Sequence, residues 1–435
     1  MVLTGSGASP NGFFICGCQS CLAAGRQFMD GNVGHTSETL SLRPLSRIEL
    51  DALVAIMPSW LHQRAWDIPE GADADLLWEY IDRQGLGGAL GALAVANLMP
   101  ACELSELAKA RYFSNMLYCE QARNTCRKIL ATARKHDIPI VNFKGPVLAQ
   151  QAYADPGIRA FADLDLCARS RADVFNLLDA LGAKVDEDSD HEGIVRRMRA
   201  PGSVLATFDG WEIEIRYPTR EATDPMLDLL YRYDYGSNPA EDDCFASPDP
   251  AWHLVLLVLH LSWYHYYSRF VWFLDLAALV SRFRNQMDFE WVLQESKRLH
   301  ATNLIALASC FCRKNIDPSF PEFPPNSAAW NYRFLCLVTD PRTISSEKFS
   351  LHQRTRRGLL YILWLRAIRF FLLADPPPRY LPDCPPERWM IATIVIGGRS
   401  TGPVMRLAVG MVVSLLFRPL ARLSAQIARM TGGES

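Results

Sequence analysis

Lysine is scarce in this sequence: eight of the 45 basic residues are lysines, and the rest are arginines. The 47 acidic residues bring the formal net charge to −2, so no excess of positive charge indicates DNA as a partner. With 49% hydrophobic and 21% charged residues, the 435-residue chain also lacks the composition of a disordered or collagen-like protein. Its length and composition predict a globular protein of two or three domains.

Cysteine, at twelve residues, is too dilute to form a disulfide framework. The first residues lack a basic segment followed by an apolar one, so we expect a cytoplasmic protein with reduced thiols. Cys16, Cys18 and Cys21 form a cluster, but no second CxxC pair supplies the remaining ligands of a zinc site. We therefore expect an irregular leader, rich in glycine and serine, over residues 1–44.

Long apolar runs are absent as well: none reaches the roughly 18 to 20 uncharged residues that a transmembrane helix needs. Residues 351–435 instead hold twelve arginines, no lysine and four acidic residues, which gives a net charge of +8 against −10 for the rest. Two interpretations of the arginine-rich C-terminal region, residues 326–435, stay open. Its arginine stems pack over a helical core, which we favour, or the region makes peripheral contact with a membrane.

Hydrophobic periodicity divides the remaining chain into helical regions and one region of strands. Apolar spacings of three and four predict helices at 45–136 and 219–325. Between them, residues 137–218 combine strand patterns with two short helices, and Asp209-Gly210 predicts a tight hairpin. The predicted strands cover 138–143, 163–166, 204–208 and 211–217, and the helices cover 147–153 and 171–181. The predicted fold class is α+β, a small mixed β-sheet embedded in a mostly helical protein.

Three acidic side chains in the strand region point to phosphate chemistry. Asp163 and Asp165 lie two residues apart in one strand, so both carboxylates project from the same face. Such a pair repels unless a cation lies between them, and Mg²⁺ or Mn²⁺ suits their oxygen ligands. Glu214 on the last strand supplies a third carboxylate, and Glu212 on the same face is the fallback ligand. This pattern is typical of two-metal sites for in-line displacement at phosphorus.

Basic residues before the acidic strand are candidates for binding the nucleotide phosphates. Lys144 and Gly145 follow the first predicted strand and precede a helix whose N-terminal amides can hold a phosphate. Gly145 permits close approach of the backbone, and Pro146 suits the first position of that helix. Arg159, four residues before Asp163, is the second predicted phosphate-binding cation.

The segment FKGPVLAQQAYADPGIRAFADLDLCAR resembles the uncharacterised nucleotidyltransferase family of bacteria, within the DNA polymerase beta-like nucleotidyltransferase superfamily. The resemblance spans about residues 76–423 and includes LHLSWYHYY, VWFLDLAAL and RPLARL. It implies magnesium-dependent transfer of a nucleoside monophosphate from an NTP, with ATP favoured, to an acceptor such as a peptide or a sugar. Such enzymes accompany natural-product or polysaccharide biosynthesis.

The chain departs from the pattern of these relatives at two positions. Pro146 follows Gly145 where the superfamily has glycine or serine, which removes one amide donor from the phosphate turn. Arg216 stands on the third acidic strand where relatives have histidine, so any role of that histidine is lost or altered.

The histidine-bearing helix has two interpretations. His253 and His260 are seven residues apart and share a helical face. The simpler interpretation is that these are core histidines with satisfied hydrogen bonds. The alternative is that His260 or His265, with Asp275, lines the pocket of the acceptor or the base.

Two other functions are consistent with the sequence. The first is a non-catalytic nucleotide-binding scaffold, although a scaffold gains nothing from a pair of repelling carboxylates. The second is a toxin-like transferase acting on tRNA, although the five acidic residues at 186–192 do not suit an RNA-binding groove.

Overall fold

The computed structural model describes residues 43–153, 155–185, 203–218, 248–264, 267–299, 301–325 and 339–345, with the single residues 226, 229, 230, 232 and 336. Several sequence predictions lie outside these described residues. They are the leader with its three cysteines, the acidic run at 186–192, His265 and most of the arginine-rich C-terminal region.

In the described residues, four helices precede the sheet, within the region 45–136 that was predicted to be helical. The first begins with a capping box, in which Ser46 and Glu49 each bond the backbone of the other. The last is a single helix of 33 residues that ends in Arg134 and Lys135, cations that suit the negative end of a helix dipole. These helices are α1 (Arg47–Leu61), α2 (Ala74–Arg83), α3 (Gly87–Val95) and α4 (Glu103–Lys135).

A mixed five-stranded sheet follows in the described chain, and the predicted α+β class is confirmed. Its strands are β1 (Ile140–Asn142), β2 (Asp163–Ala168), β3 (Lys184–Val185), β4 (Ser203–Phe208) and β5 (Trp211–Arg216), in the order β1-β2-β5-β4-β3. β2 and β5 are parallel, and the other pairs are antiparallel. Helices α5 (Pro146–Tyr153) and α6 (Arg171–Leu181) lie within this region. The sequence did not predict β3, because two residues are too few to show an alternating pattern.

Glycines with positive φ angles lie in two turns of the sheet region, at the end of α6 and between β4 and β5. Gly182 ends α6 in the left-handed conformation, with φ of 61°. Asp209 and Gly210 join β4 to β5 with φ angles of 52° and 80°, the two positive values of a type I′ turn. The predicted hairpin is therefore confirmed.

Four helices of the described residues lie after the sheet, within the region 219–325 that was predicted to be helical. They are α7 (Pro250–Leu259), α8 (Phe270–Phe283), α9 (Phe289–Arg298) and α10 (Thr302–Asn315). The histidine-bearing helix differs from the prediction, because it changes at His260 into a π-helical turn, His260–Tyr264, a distortion often found at functional sites. In the parts of the chain that the structure describes, no helix is both long and apolar enough to cross a membrane.

The two faces of β2 pack in different surroundings. Leu164 and Leu166 join an apolar core that also contains residues of α4 and α6. Cys167, on the opposite face, belongs to a second core built largely from the helices before and after the sheet. Asp163 and Asp165 share the face of Cys167. The acidic side of β2 is therefore directed toward the helical part of the protein.

Candidate functional site

The parallel pairing of β2 with β5 brings the predicted acidic residues together. Asp163 lies opposite Glu212, and Asp165 lies opposite Glu214. We call these four residues the acidic face. Asp165 is buried, Glu214 is partly buried and Glu212 is exposed. Of the two glutamates, Glu214 is therefore the one next to the buried carboxylate.

The two aspartates repel each other. The carboxylate of Asp165 raises the pKa of Asp163 from 3.8 to about 6, and burial contributes in the same direction. Lys144 opposes this increase, while the charge of Glu214 adds to it. The repulsion between these carboxylates therefore lowers the free energy of unfolding when Asp163 is ionised.

Lys144 reaches the acidic face from the turn after β1. Its Nζ lies 3.0 Å from Oδ2 of Asp165 and 3.2 Å from Nε2 of His260, in the π-helical turn. The turn depends on Gly145, whose φ is +58° and where a Cβ would lie 3.2 Å from the carbonyl oxygen of Asp163. Pro146 begins α5, as predicted. Lys144 is thus a buried counter-ion of Asp165, held between the sheet and α7.

Arg159 has a partner that the sequence did not indicate. Its Nε and one terminal nitrogen donate to the two carboxylate oxygens of Asp275, at 2.8 and 3.1 Å. Tyr153 donates its hydroxyl to the same carboxylate at 2.5 Å. Arg159 is 4% exposed and Asp275 is 2% exposed. This arrangement does not support the expectation that Arg159 binds substrate phosphate, because its charge is already paired inside the protein.

One sequence signal does point to this ion pair. Asp275 is a lone carboxylate in the apolar run VWFLDLAALV, and a buried carboxylate requires a cation or several donors. The sequence therefore indicates that a partner exists. The identity of that partner does not follow from the sequence, because Arg159 lies 116 residues away.

Arg216 pairs with a carboxylate of the acidic face. One of its terminal nitrogens lies 2.9 Å from Oε1 of Glu214, and Arg216 is 4% exposed. The arginine therefore neutralises Glu214 from two residues away on the same side of β5.

His253 in α7 and His260 in the π-helical turn have different surroundings. His253 is fully buried, with Nε2 2.6 Å from the carbonyl oxygen of Phe143 and Nδ1 2.7 Å from Oε1 of Gln151. Burial lowers its pKa to about 4, so it is a neutral core histidine. His260 contacts Lys144, and Asp275 contacts Arg159, so both belong to buried ionic networks rather than to an open pocket.

The acidic face has the oxygen donors that Mg²⁺ prefers, but Asp165 and Glu214 are engaged in ion pairs with Lys144 and Arg216. Among the described residues, no group of three or more His, Cys, Asp and Glu side chains is arranged to hold a metal ion. Oδ2 of Asp165 is buried and accepts no hydrogen bond from the described groups; Lys144 neutralises it without hydrogen-bond geometry. The carboxylates are therefore suitable ligands for a hard cation. Such a cation would compete with Lys144 for the carboxylate of Asp165.

Replacing Asp163 with asparagine tests the repulsion. Because the folded pKa is raised from 3.8 to about 6, ionisation of Asp163 destabilises the folded protein as pH rises through this range. Without divalent cations, Asp163→Asn should raise the free energy of unfolding by about 1 to 3 kcal/mol at pH 8. The gain should vanish near pH 3 and below, where the carboxyl group is protonated in both the folded and the unfolded state. Urea denaturation in EDTA at both pH values measures this difference, and an equal effect at both would contradict it.

Comparison with curated proteins and with solved structures found no match to this chain. A family model described as "Uncharacterised nucleotidyltransferase" matches residues 70–317, more than half of the chain. The matched segment includes the whole acidic face and its paired cations, and the family implies a transferase that uses an NTP. The resemblance predicted for residues after 317 stays a prediction. This chain belongs to the uncharacterised nucleotidyltransferase family.

Proposed function

We propose that this protein catalyses the metal-dependent transfer of a nucleoside monophosphate from an NTP, with ATP favoured, to an acceptor, with release of pyrophosphate. The observation that carries the proposal is the alignment of Asp163 and Asp165 with Glu214 on adjacent parallel strands. Membership of a nucleotidyltransferase family supports it independently. The acceptor class that we favour is a peptide or a sugar of a biosynthetic cluster.

The residues of the acidic face have separate tasks in this proposal. Bound Mg²⁺ or Mn²⁺ would offset the charge of the triphosphate and make the acceptor hydroxyl more acidic. Asp163 and Asp165 would hold the cations, and Glu214 would bind the cation that activates the acceptor hydroxyl and would take the proton of that hydroxyl. Lys144 pairs with Asp165 before substrate binds and is then available, with its charge, to the triphosphate. Positioning and charge supply most of the catalysis.

Pyrophosphate release tests the proposal directly. The full-length protein is incubated with each of the four NTPs and with pools of peptide or sugar acceptors, with Mg²⁺ or Mn²⁺ and with EDTA. We expect release with at least one NTP, and we expect EDTA to abolish it. If a metal–NTP complex raises the melting temperature but no acceptor or hydrolysis product forms, the nucleotide-binding scaffold becomes the better interpretation.

The two glutamates of the acidic face should differ in importance. Glu214→Gln should lower kcat by about 10²-fold or more, because Glu214 lies opposite the buried Asp165. Glu212→Gln should change kcat by less than about threefold, since Glu212 is exposed at the edge of the site. Steady-state pyrophosphate release from the two variants measures this ranking. The reverse order would assign the third ligand to Glu212.

A further inference from the structure

The cations closest to the acidic face are buried and paired with carboxylates before a substrate binds. Lys144, Arg159 and Arg216 are each at most 8% exposed, and each pairs with a carboxylate. A triphosphate brings several negative charges and is bound best by guanidinium or ammonium groups that it can reach. The proposed substrate therefore needs a further cation at the solvent side of this site.

Arg269 is an arginine with these properties, and it precedes the first residue of α8. The side chain is exposed, and within the described part of the chain it forms no ion pair with a carboxylate. Its guanidinium carbon lies 5.5 Å from the centroid of the Trp272 ring, one helical turn further on. Stacking on an aromatic ring fixes the plane of a guanidinium and leaves its edge free to bind a planar or tetrahedral anion.

The start of α8 packs beside the loop that leads to Arg159 and β2. A Cβ at Gly85 would lie 2.8 Å from Cγ1 of Val271, and a Cβ at Gly88 would clash with the carbonyl oxygen of Ile158, so the turn at 85–88 contacts both segments. Burial lowers the pKa of Arg269 and the charge of Arg159 lowers it further, while the carboxylates of Asp163 and Asp82 raise it. The packing and these charges agree in placing Arg269 near the residues that precede the acidic pair.

The side chain, rather than the end of the helix, is the group available to an anion. The first two backbone amides of α8 already donate hydrogen bonds to Gln84. Phe270 N–H donates to the side-chain oxygen Oε1 of Gln84 at 3.0 Å, and Val271 N–H donates to the backbone carbonyl oxygen of Gln84 at 3.2 Å. The N-terminus of α8 thus has fewer free donors than an ordinary phosphate-binding helix. The guanidinium of Arg269 has five donors, and among the described residues it forms no ion pair with a carboxylate.

We propose that Arg269 binds the triphosphate of the NTP substrate, with its guanidinium held against Trp272 and directed to the phosphate oxygens. This inference rests on the proposed function and adds a substrate-binding residue that the motifs around β1 and β2 do not contain. According to this proposal, α8 supplies Asp275, which pairs with the buried Arg159, and the residue before α8, Arg269, binds the substrate.

Binding of inorganic tripolyphosphate with Mg²⁺, measured by calorimetry on the full-length protein, tests this inference. Arg269→Ala should weaken binding by about ten- to a hundred-fold, the range for hydrogen bonds to a charged group. Arg269→Lys should recover part of this loss, since it keeps the charge but loses the bidentate geometry. Arg282→Ala is the matched control: Arg282 is an exposed arginine near the other end of α8, 5.7 Å from the ring centroid of Phe283, and it donates to the Gln150 carbonyl.

The possible results separate this inference from the proposed function. If Arg269→Ala binds tripolyphosphate as tightly as the wild-type protein and Arg282→Ala do, the assignment of Arg269 is wrong and the proposed function stands. If the wild-type protein binds neither tripolyphosphate nor any NTP with Mg²⁺, both fail. Melting curves confirm that the exposed substitutions leave the fold intact, and a rise in KM with little change in kcat would support a role in binding.

Discussion

Asp165→Asn should abolish nucleotidyl transfer, with a fall in kcat of about 10³-fold or more. The asparagine keeps the size of the side chain but removes the charge of the most buried carboxylate on the acidic face. Groups that stabilise charge at the reacting centre act in a low-dielectric site, so the loss of one is costly to the rate. Pyrophosphate release under saturating NTP and Mg²⁺ measures the effect.

The same substitution should have a small effect on stability. It leaves the buried ammonium of Lys144 without its carboxylate, which is unfavourable, but it also removes the charge that raises the pKa of Asp163. These two effects oppose each other, so the free energy of unfolding should change by no more than about 1 kcal/mol. Asp75→Asn, an exposed substitution in the first turn of α2, serves as the control and should retain full activity. An Asp165→Asn protein that is folded and keeps most of its activity would contradict the two-metal proposal.

Thermal stability gives a measure of metal binding that does not depend on turnover. Mg²⁺ or Mn²⁺ that binds only the folded protein raises its melting temperature, and the increase is larger for tighter binding. Lys144 competes for Asp165, so a metal with an NTP should raise the melting temperature more than the metal alone, because the triphosphate also attracts the ammonium. Asp165→Asn should lose most of this increase.

The acidic face could be predicted from the sequence because strand geometry is local. Alternation with a period of two places Asp163 and Asp165 on one side of β2, whatever the rest of the fold is. The Asp209-Gly210 turn likewise encodes its own hairpin, which fixes β5 beside β4. The pairing of β5 with β2 brings Glu214 opposite Asp165, and only this step depends on tertiary structure.

The partners of the cations could not be predicted in the same way. Lys144 and His260 are 116 residues apart, and the contact depends on the π-helical turn that redirects the end of α7. No apolar spacing indicates such a turn. Arg269 was missed for another reason: an exposed arginine in a sequence with 37 of them carries no signal until its surroundings are known.

Asp275→Ala should cause the largest loss of stability among these variants, about 3 to 5 kcal/mol in the free energy of unfolding. Removing one partner of a buried ion pair leaves the other charge in a medium of low polarity, and here that charge is the guanidinium of Arg159. The hydroxyl of Tyr153 also loses its acceptor. Urea denaturation at pH 7 measures the change.

Two matched variants identify the cause of this loss. Glu79→Ala breaks a partly exposed ion pair with Arg83, one turn away on α2, and should cost no more than about 0.5 kcal/mol. The double variant Arg159→Met with Asp275→Leu removes both charges together, so it should recover much of the stability that Asp275→Ala loses. The Arg159–Asp275 pair joins the loop before β2 to α8, so the stable double variant should still show a lower kcat if this pair positions the acidic face. If Asp275→Ala is as mild as Glu79→Ala, the buried pair is not formed in the folded protein.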